Sequence, residues 1–124
     1  VTMIKIFKII SIILLSVTSL TVNAQTKITK VSNSGIQVVE FNAKWNSAKN
    51  VSWLGKLSDC SVGRLLIDEN PKFQSRYKIL VVPTIIVFRD GEEMERFQAN
   101  IMMDMEVTVK DVQESVDDAH MEGF

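Results

Sequence analysis

Val82-Pro83-Thr84-Ile85-Ile86-Val87-Phe88-Arg89-Asp90-Gly91-Glu92 is the stretch that decides the fold. Proline has no amide to give to a sheet ladder, so the apolar run divides at Pro83 and the strand proper starts at Thr84. Asp90-Gly91 then supplies a two-residue hairpin turn, and Glu93 to Ala99 returns with alternating Met94, Arg96, Phe97 and Ala99.

Working outward, Met105, Val109, Val112, Val116 and Ala119 recur at spacings of 4, 3, 4 and 3, one stripe of an amphipathic helix whose other face is charged. Upstream, Ile36 to Phe41 is a β-branched run of strand length after a Ser-Gly turn signal and reads as a central buried strand. Val51, Leu54 and Leu57, with Trp53 beside them, lie at helical spacing and predict a short helix over Ser47 to Ser58, weakened by Gly55. Arg64 to Asp68 predicts a second strand. Asn70-Pro71 starts a helix whose apolar face holds Phe73 and Tyr77 and ends near Ile79. A short strand is expected at Lys27 to Val31. The order β-α-β-α-β-β-α implies an α/β fold with a central mixed β-sheet flanked by helices.

The chain has 124 residues, 46% hydrophobic and 23% charged, which suits one small globular domain rather than disorder. From Met3 to Ala24, Lys5 and Lys8 precede an apolar run from Ile9 to Leu20, and Val22-Asn23-Ala24 closes a small-residue site before Gln25. This is the pattern of a signal peptide over 1–24, with a domain over 25–124. The competing reading is a membrane anchor, but twelve apolar residues reach only about 18 Å as a helix against a hydrocarbon core of about 30 Å. The expected product is exported, periplasmic or secreted, with no stable membrane insertion after cleavage. Formal net charge is −1, and about −3 once Lys5 and Lys8 are removed, so nothing draws the domain to nucleic acid. Cys60 is the one cysteine, so no intrachain disulfide forms.

Three segments in register resemble the thioredoxin family. Val38-Val39-Glu40-Phe41-Asn42-Ala43-Lys44-Trp45 is similar to the strand leading to that family's active site. Ile67-Asp68-Glu69-Asn70-Pro71 through Tyr77-Lys78-Ile79 is similar to its next strand and helix, and the Val82 to Glu92 stretch to its V/I-P-T-x-x-x-F-K-x-G-E segment. The resemblance implies a thioredoxin-like fold, trimmed at the N-terminus, with a cis bond at Val82-Pro83.

The resemblance also carries its own departure. Where the family has W-C-x-x-C, this chain reads Trp45-Asn46-Ser47-Ala48-Lys49, so Asn46 and Lys49 stand at the two cysteine positions and the active site is degenerate. No catalytic residue for two-cysteine disulfide exchange remains. Asn46 is a favoured N-cap and is expected to satisfy the helix amides that would otherwise lower a thiol's pKa. Glu40 matches the family's buried acid; if buried it needs a raised pKa or a partner such as Lys49. Trp45, Val82 and Pro83 match the rim of the family's peptide-binding groove, kept either for binding a protein or extended peptide partner or because the fold needs them.

Other features carry less. Cys60 is expected at the far end of the Ser47 to Ser58 helix, roughly 20 Å from the site, as a structural or incidental thiol, with an interchain or mixed disulfide as the alternative. Met102, Met103, Met105, Met121 and His120 invite a soft-metal reading but lack a repeated ligand spacing, so no metal and no cofactor is expected. His120 has no Ser or Cys partner marked by spacing. The expected function is a redox-inactive protein-binding module. The alternative is a thiol-disulfide oxidoreductase working through Cys60 alone or with a partner.

Overall fold

The computed structural model describes residues 26–122. Residues 1–24, where a signal peptide is expected, lie outside the described residues. Four strands form one sheet: β1 (Ile36–Asn42), β2 (Ser61–Leu66), β3 (Thr84–Arg89) and β4 (Glu92–Gln98), in spatial order β2-β1-β3-β4. β1 pairs parallel to β2 and antiparallel to β3, and β3 pairs antiparallel to β4, so the sheet is mixed as expected. With a neighbour on each side and cover on both faces, every residue of β1 is buried.

Two helices cover the faces, α1 (Pro71–Arg76) and α2 (Val109–Met121). Side chains alternate across a strand. Val38, Ile85 and Val87 therefore pack with Val112, Val116 and Ala119 of α2, while Val39, Phe41, Ile86 and Phe88 pack with Phe73 of α1. On the α1 face Tyr77 lies 5.5 Å from Phe41 and 5.4 Å from Phe88, ring centre to ring centre. α2 starts at a capping box, in which the Thr108 hydroxyl accepts from the Asp111 amide and the Asp111 carboxylate accepts from the Thr108 amide.

The hairpin forms as its residues dictate. Asp90 at φ 51° and Gly91 at φ 83° are both left-handed, the pairing that a two-residue turn with native strand twist requires. At the other edge, Lys27 makes a single parallel bridge to Arg64 in place of the expected strand over Lys27 to Val31. Gly63 lets this segment come close, because a Cβ there would sit 2.8 Å from the Ile28 side chain.

Several boundaries differ from expectation. β2 begins earlier, at Ser61, and α1 ends at Arg76, where Lys78 turns to φ 53°. α2 begins at Val109, so Met105 packs against the core from the loop before it.

The helix predicted over Ser47 to Ser58 does not form. In its place stand two 3-10 turns, Lys44–Lys49 and Leu54–Lys56. A continuous α-helix would spend the Val51 amide on the Ser47 carbonyl. Here that amide donates to the Glu40 carboxylate, at 3.1 and 3.2 Å, and the Val51 carbonyl accepts from Arg64 at 3.0 Å. A buried ion pair thus takes both main-chain polar groups of one residue, and the apolar residues Val51, Leu54 and Leu57 reach the core without a helix.

Candidate functional site

β1 ends at Asn42, and the chain turns at once into the segment carrying Trp45, Asn46 and Lys49. Opposite it, Val82-Pro83 is a cis peptide, as the resemblance implies. The loop around it is fixed: the Thr84 hydroxyl donates to the Val81 carbonyl at 2.7 Å, and the Ala99 amide donates to the Pro83 carbonyl at 3.0 Å. Pro83 and the Val82 side chain are buried, yet the Val82 amide and carbonyl make no hydrogen bond with the described residues. Main-chain groups without an internal partner at a surface are open to another backbone.

Beside Val82 runs a groove of about 230 Å³. Ile67, Ile79 and Val82 line it with buried side chains, and Trp45, Leu80 and Ile101 line it with exposed ones. Trp45 is 67% exposed, Leu80 84% and Ile101 97%. The structure thus brings Trp45 and Val82 to one groove, with Pro83 directly behind it. Leu80 and the Ile101-Met102 tip were not anticipated from the sequence; the available signal was their position as large apolar residues outside any strand or helix period.

Asn46 is not the cap expected of it. Ala43 occupies the N-cap position with no side-chain hydrogen bond, and Asn46 sits inside the turn at φ −109°, ψ 21°. Its side-chain amide donates to the Asn42 side-chain oxygen at 3.1 Å. Asn42 returns a bond to the Asn46 carbonyl at 3.2 Å and donates to the Asn50 side-chain oxygen at 2.6 Å. A buried asparagine ladder therefore replaces a capped helix. Lys49 faces outward and pairs with Asp104, not with Glu40. Neither position offers a nucleophile to the groove.

Glu40 is fully buried, and its partner is Arg64, directly opposite in the β1-β2 register, with guanidinium to carboxylate 2.9 Å apart. Burial raises the Glu40 pKa above the usual carboxylate range, against the lowering pull of Arg64 and the Val51 amide. No signal in spacing marked Arg64 as the partner; only the strand register does.

Cys60 is half-buried against the α2-side core, and since no helix spans 47–58, its expected place at a helix end does not apply. Burial first, then Asp59 and Asp117, push its thiol up to about 11. Protonated at neutral pH, it is a poor nucleophile. The His120 ring lies 2.6 Å from the Asp59 carbonyl, Met105 is partly buried, and Met102 and Met121 are exposed. Among the described residues no three His, Cys, Asp or Glu side chains are grouped to hold a metal, and no helix is long and apolar enough to cross a membrane.

The geometry can be set beside known proteins. No protein-family model matches the chain. It is 32% identical over 69 residues to a thioredoxin from Chlamydia pneumoniae, covering 51% of this chain and 68% of the relative. It is 32% identical over 73 residues to a thioredoxin from Staphylococcus aureus, covering 51% of this chain and 67% of the relative. Among solved structures, a mutant thioredoxin from Halobacterium salinarum superposes with a TM-score of 0.58 at 19% identity, covering 79% of this chain and 92% of that one. Thioredoxin from Fasciola hepatica gives a TM-score of 0.52 at 24% identity, covering 70% of this chain and 84% of that one.

Proposed function

This chain belongs to the thioredoxin family, and from that premise we propose that it is a redox-inactive member with a degenerate active site, exported, that binds an extended segment of a protein partner. The observation that carries the reading is the pairing of free Val82 main-chain groups with exposed Trp45 across an apolar groove, beside cysteine positions spent on other work. An extended peptide laid along Val82 would gain two main-chain hydrogen bonds and bury apolar side chains against Trp45 and Ile79. Asn46 is committed to the asparagine ladder and Lys49 to Asp104. Export rests on the Lys5, Lys8, Ile9 to Leu20 and Ala24 pattern.

The oxidoreductase alternative through Cys60 is disfavoured by a thiol pushed to about 11. The test is a thiol-blocked, unfolded protein titrated against wild-type chain and Trp45→Ala, alongside turbidity on reduction of a disulfide-linked substrate. Binding that weakens about tenfold in the variant, with no reduction by wild type, is expected from loss of one large aromatic contact. Wild-type reduction above background, or binding indifferent to Trp45, overturns the reading.

A further inference from the structure

The other end of the sheet from Trp45 holds a second cavity, of about 490 Å³, bounded by the segment from Lys27 to Asn33 and by Gln37 of β1. It shares no lining residue with the groove beside Val82. Gln37 and Asn42 stand roughly 15 Å apart along β1.

Gln37 lies on the α1 face of β1, in one row with Val39 and Phe41. It is 7% exposed, and its side-chain oxygen accepts from the Ser32 amide at 2.8 Å. That bond fixes which end of the group is oxygen, so the NH2 is turned the other way. The NH2 has no hydrogen-bond partner among the described residues. Every wholly enclosed side-chain nitrogen or oxygen there does have one, so this NH2 reaches the cavity that Gln37 lines. The Ser32 bond uses only the oxygen; an unmet donor in an apolar row costs stability.

The rest of the wall defines the acceptor that this donor suits. Ile28 and Val31 are partly buried against the α1-side core and give the cavity an apolar side. Of its two cations, Lys27 pairs with Glu69, whereas Lys30 is exposed and in no ion pair among the described residues. No Asp or Glu lines it. A buried N–H donor, a free ammonium and an apolar side together select an oxygen anion with a hydrocarbon body, and the volume suits one small molecule.

We propose that this cavity binds a small organic acid, its carboxylate held between the Gln37 NH2 and the Lys30 ammonium and its hydrocarbon chain against Ile28 and Val31. The site is separate from the peptide groove, and neither reading depends on the other.

The test follows the Gln37 side-chain NH2 by nitrogen-proton correlation NMR on the full chain, titrated with isocaproate, with its neutral amide isocaproamide, and with acetate. Isocaproate is expected to move the Gln37 signals saturably, with half-saturation on the order of 1 mM. Isocaproamide, which lacks the charge, and acetate, which lacks the chain, each bind about fivefold weaker or worse. Lys30→Gln, at an exposed position, weakens isocaproate about threefold and removes most of its advantage over the amide. Gln37→Glu keeps an acceptor for Ser32 but sets a carboxylate against the ligand's own, and abolishes binding; circular dichroism checks its fold. Trp45→Ala leaves all of this unchanged, which tells a failure here from a failure of the groove reading. No saturation up to about 50 mM isocaproate overturns the proposal. So do acid and amide that bind alike and ignore Lys30→Gln, or shifts spread evenly over the exposed lysines. Uptake of a peptide through its terminal carboxylate, with isocaproate ignored, assigns the cavity to a protein partner and overturns it as well.

Discussion

Glu40 of β1 and Arg64 of β2 hold the main chain of one residue between them: the carboxylate accepts from the Val51 amide and the guanidinium donates to the Val51 carbonyl. In this chain the buried acid is a clamp on the segment that follows Asn46 and Lys49. With no thiol beside it, its charge is used for position.

Glu40→Ala leaves a largely buried Arg64 without its counter-ion and removes the carboxylate from the Val51 amide, so a loss of about 3–5 kcal/mol is expected. Urea denaturation measures it. Glu40→Gln, which keeps an acceptor for Val51, should cost clearly less, and equal costs would mean the clamp is not what the carboxylate supplies.

The pH dependence has a definite sign. Glu40 has a raised pKa in the folded chain, so the folded state holds a proton that the unfolded state releases as pH climbs past 4.5. Stability contributed at this site therefore falls with rising pH from the unfolded value up to the folded one, and is level above it. Unfolding free energy of wild type minus that of Glu40→Gln should decline across that window. A flat difference would show that Arg64 cancels the effect of burial.

Asn42 is wholly buried and spends its side-chain NH2 on the Asn46 carbonyl and the Asn50 side chain. Asn42→Ala strands these groups, with an expected cost of about 1–3 kcal/mol. The same variant should raise amide exchange at Asn50, which would not happen if the loss were confined to β1.

Cysteines placed at the two positions that align with the family's cysteine pair, Asn46→Cys with Lys49→Cys, test what the missing helix does to chemistry. Position 46 lies in a 3-10 turn at φ −109°, so no α-helix N-terminus acts on a thiol there. Its pKa is expected near the ordinary value of about 8.5 and not near 7, with correspondingly feeble disulfide reduction. A thiol titrating near 7 would show that the introduced pair rebuilds the helix.

Cys60, with its thiol pushed to about 11, should react with Ellman's reagent about 100-fold more slowly than a free thiol at neutral pH. Denaturant should restore the ordinary rate. Rapid labelling of native protein would reopen a redox role.

Much of the fold was legible because its signals are local. Pro83 blocks a ladder bond, Asp90-Gly91 accepts left-handed backbone, Pro71 starts a helix, and the 3-4-3 stripe from Val109 to Ala119 gives α2 its apolar face. Each acts within a few residues whatever the rest of the chain does. The Asn46 and Lys49 substitutions were equally plain, since lacking a sulfur needs no structure to read.

From Lys44 to Leu57 helical spacing does not decide the conformation, because the determinant lies elsewhere. Val51, Leu54 and Leu57 have helical spacing, but Glu40 lies 11 residues before Val51 and Arg64 13 residues after it, and strand pairing alone brings them together. Once paired and buried, the charges must find hydrogen bonds, and the nearest backbone supplies them at the helix's expense. By itself the sequence determined the four strands of the sheet, the hairpin, the closing helix and the lack of a C-x-x-C pair, because short-range sterics and composition decide those. Only the tertiary structure decided the partner of Glu40, the asparagine ladder around Asn46 and the rim of Trp45, Leu80 and Ile101, because burial and contact between distant residues exist only after the chain has folded.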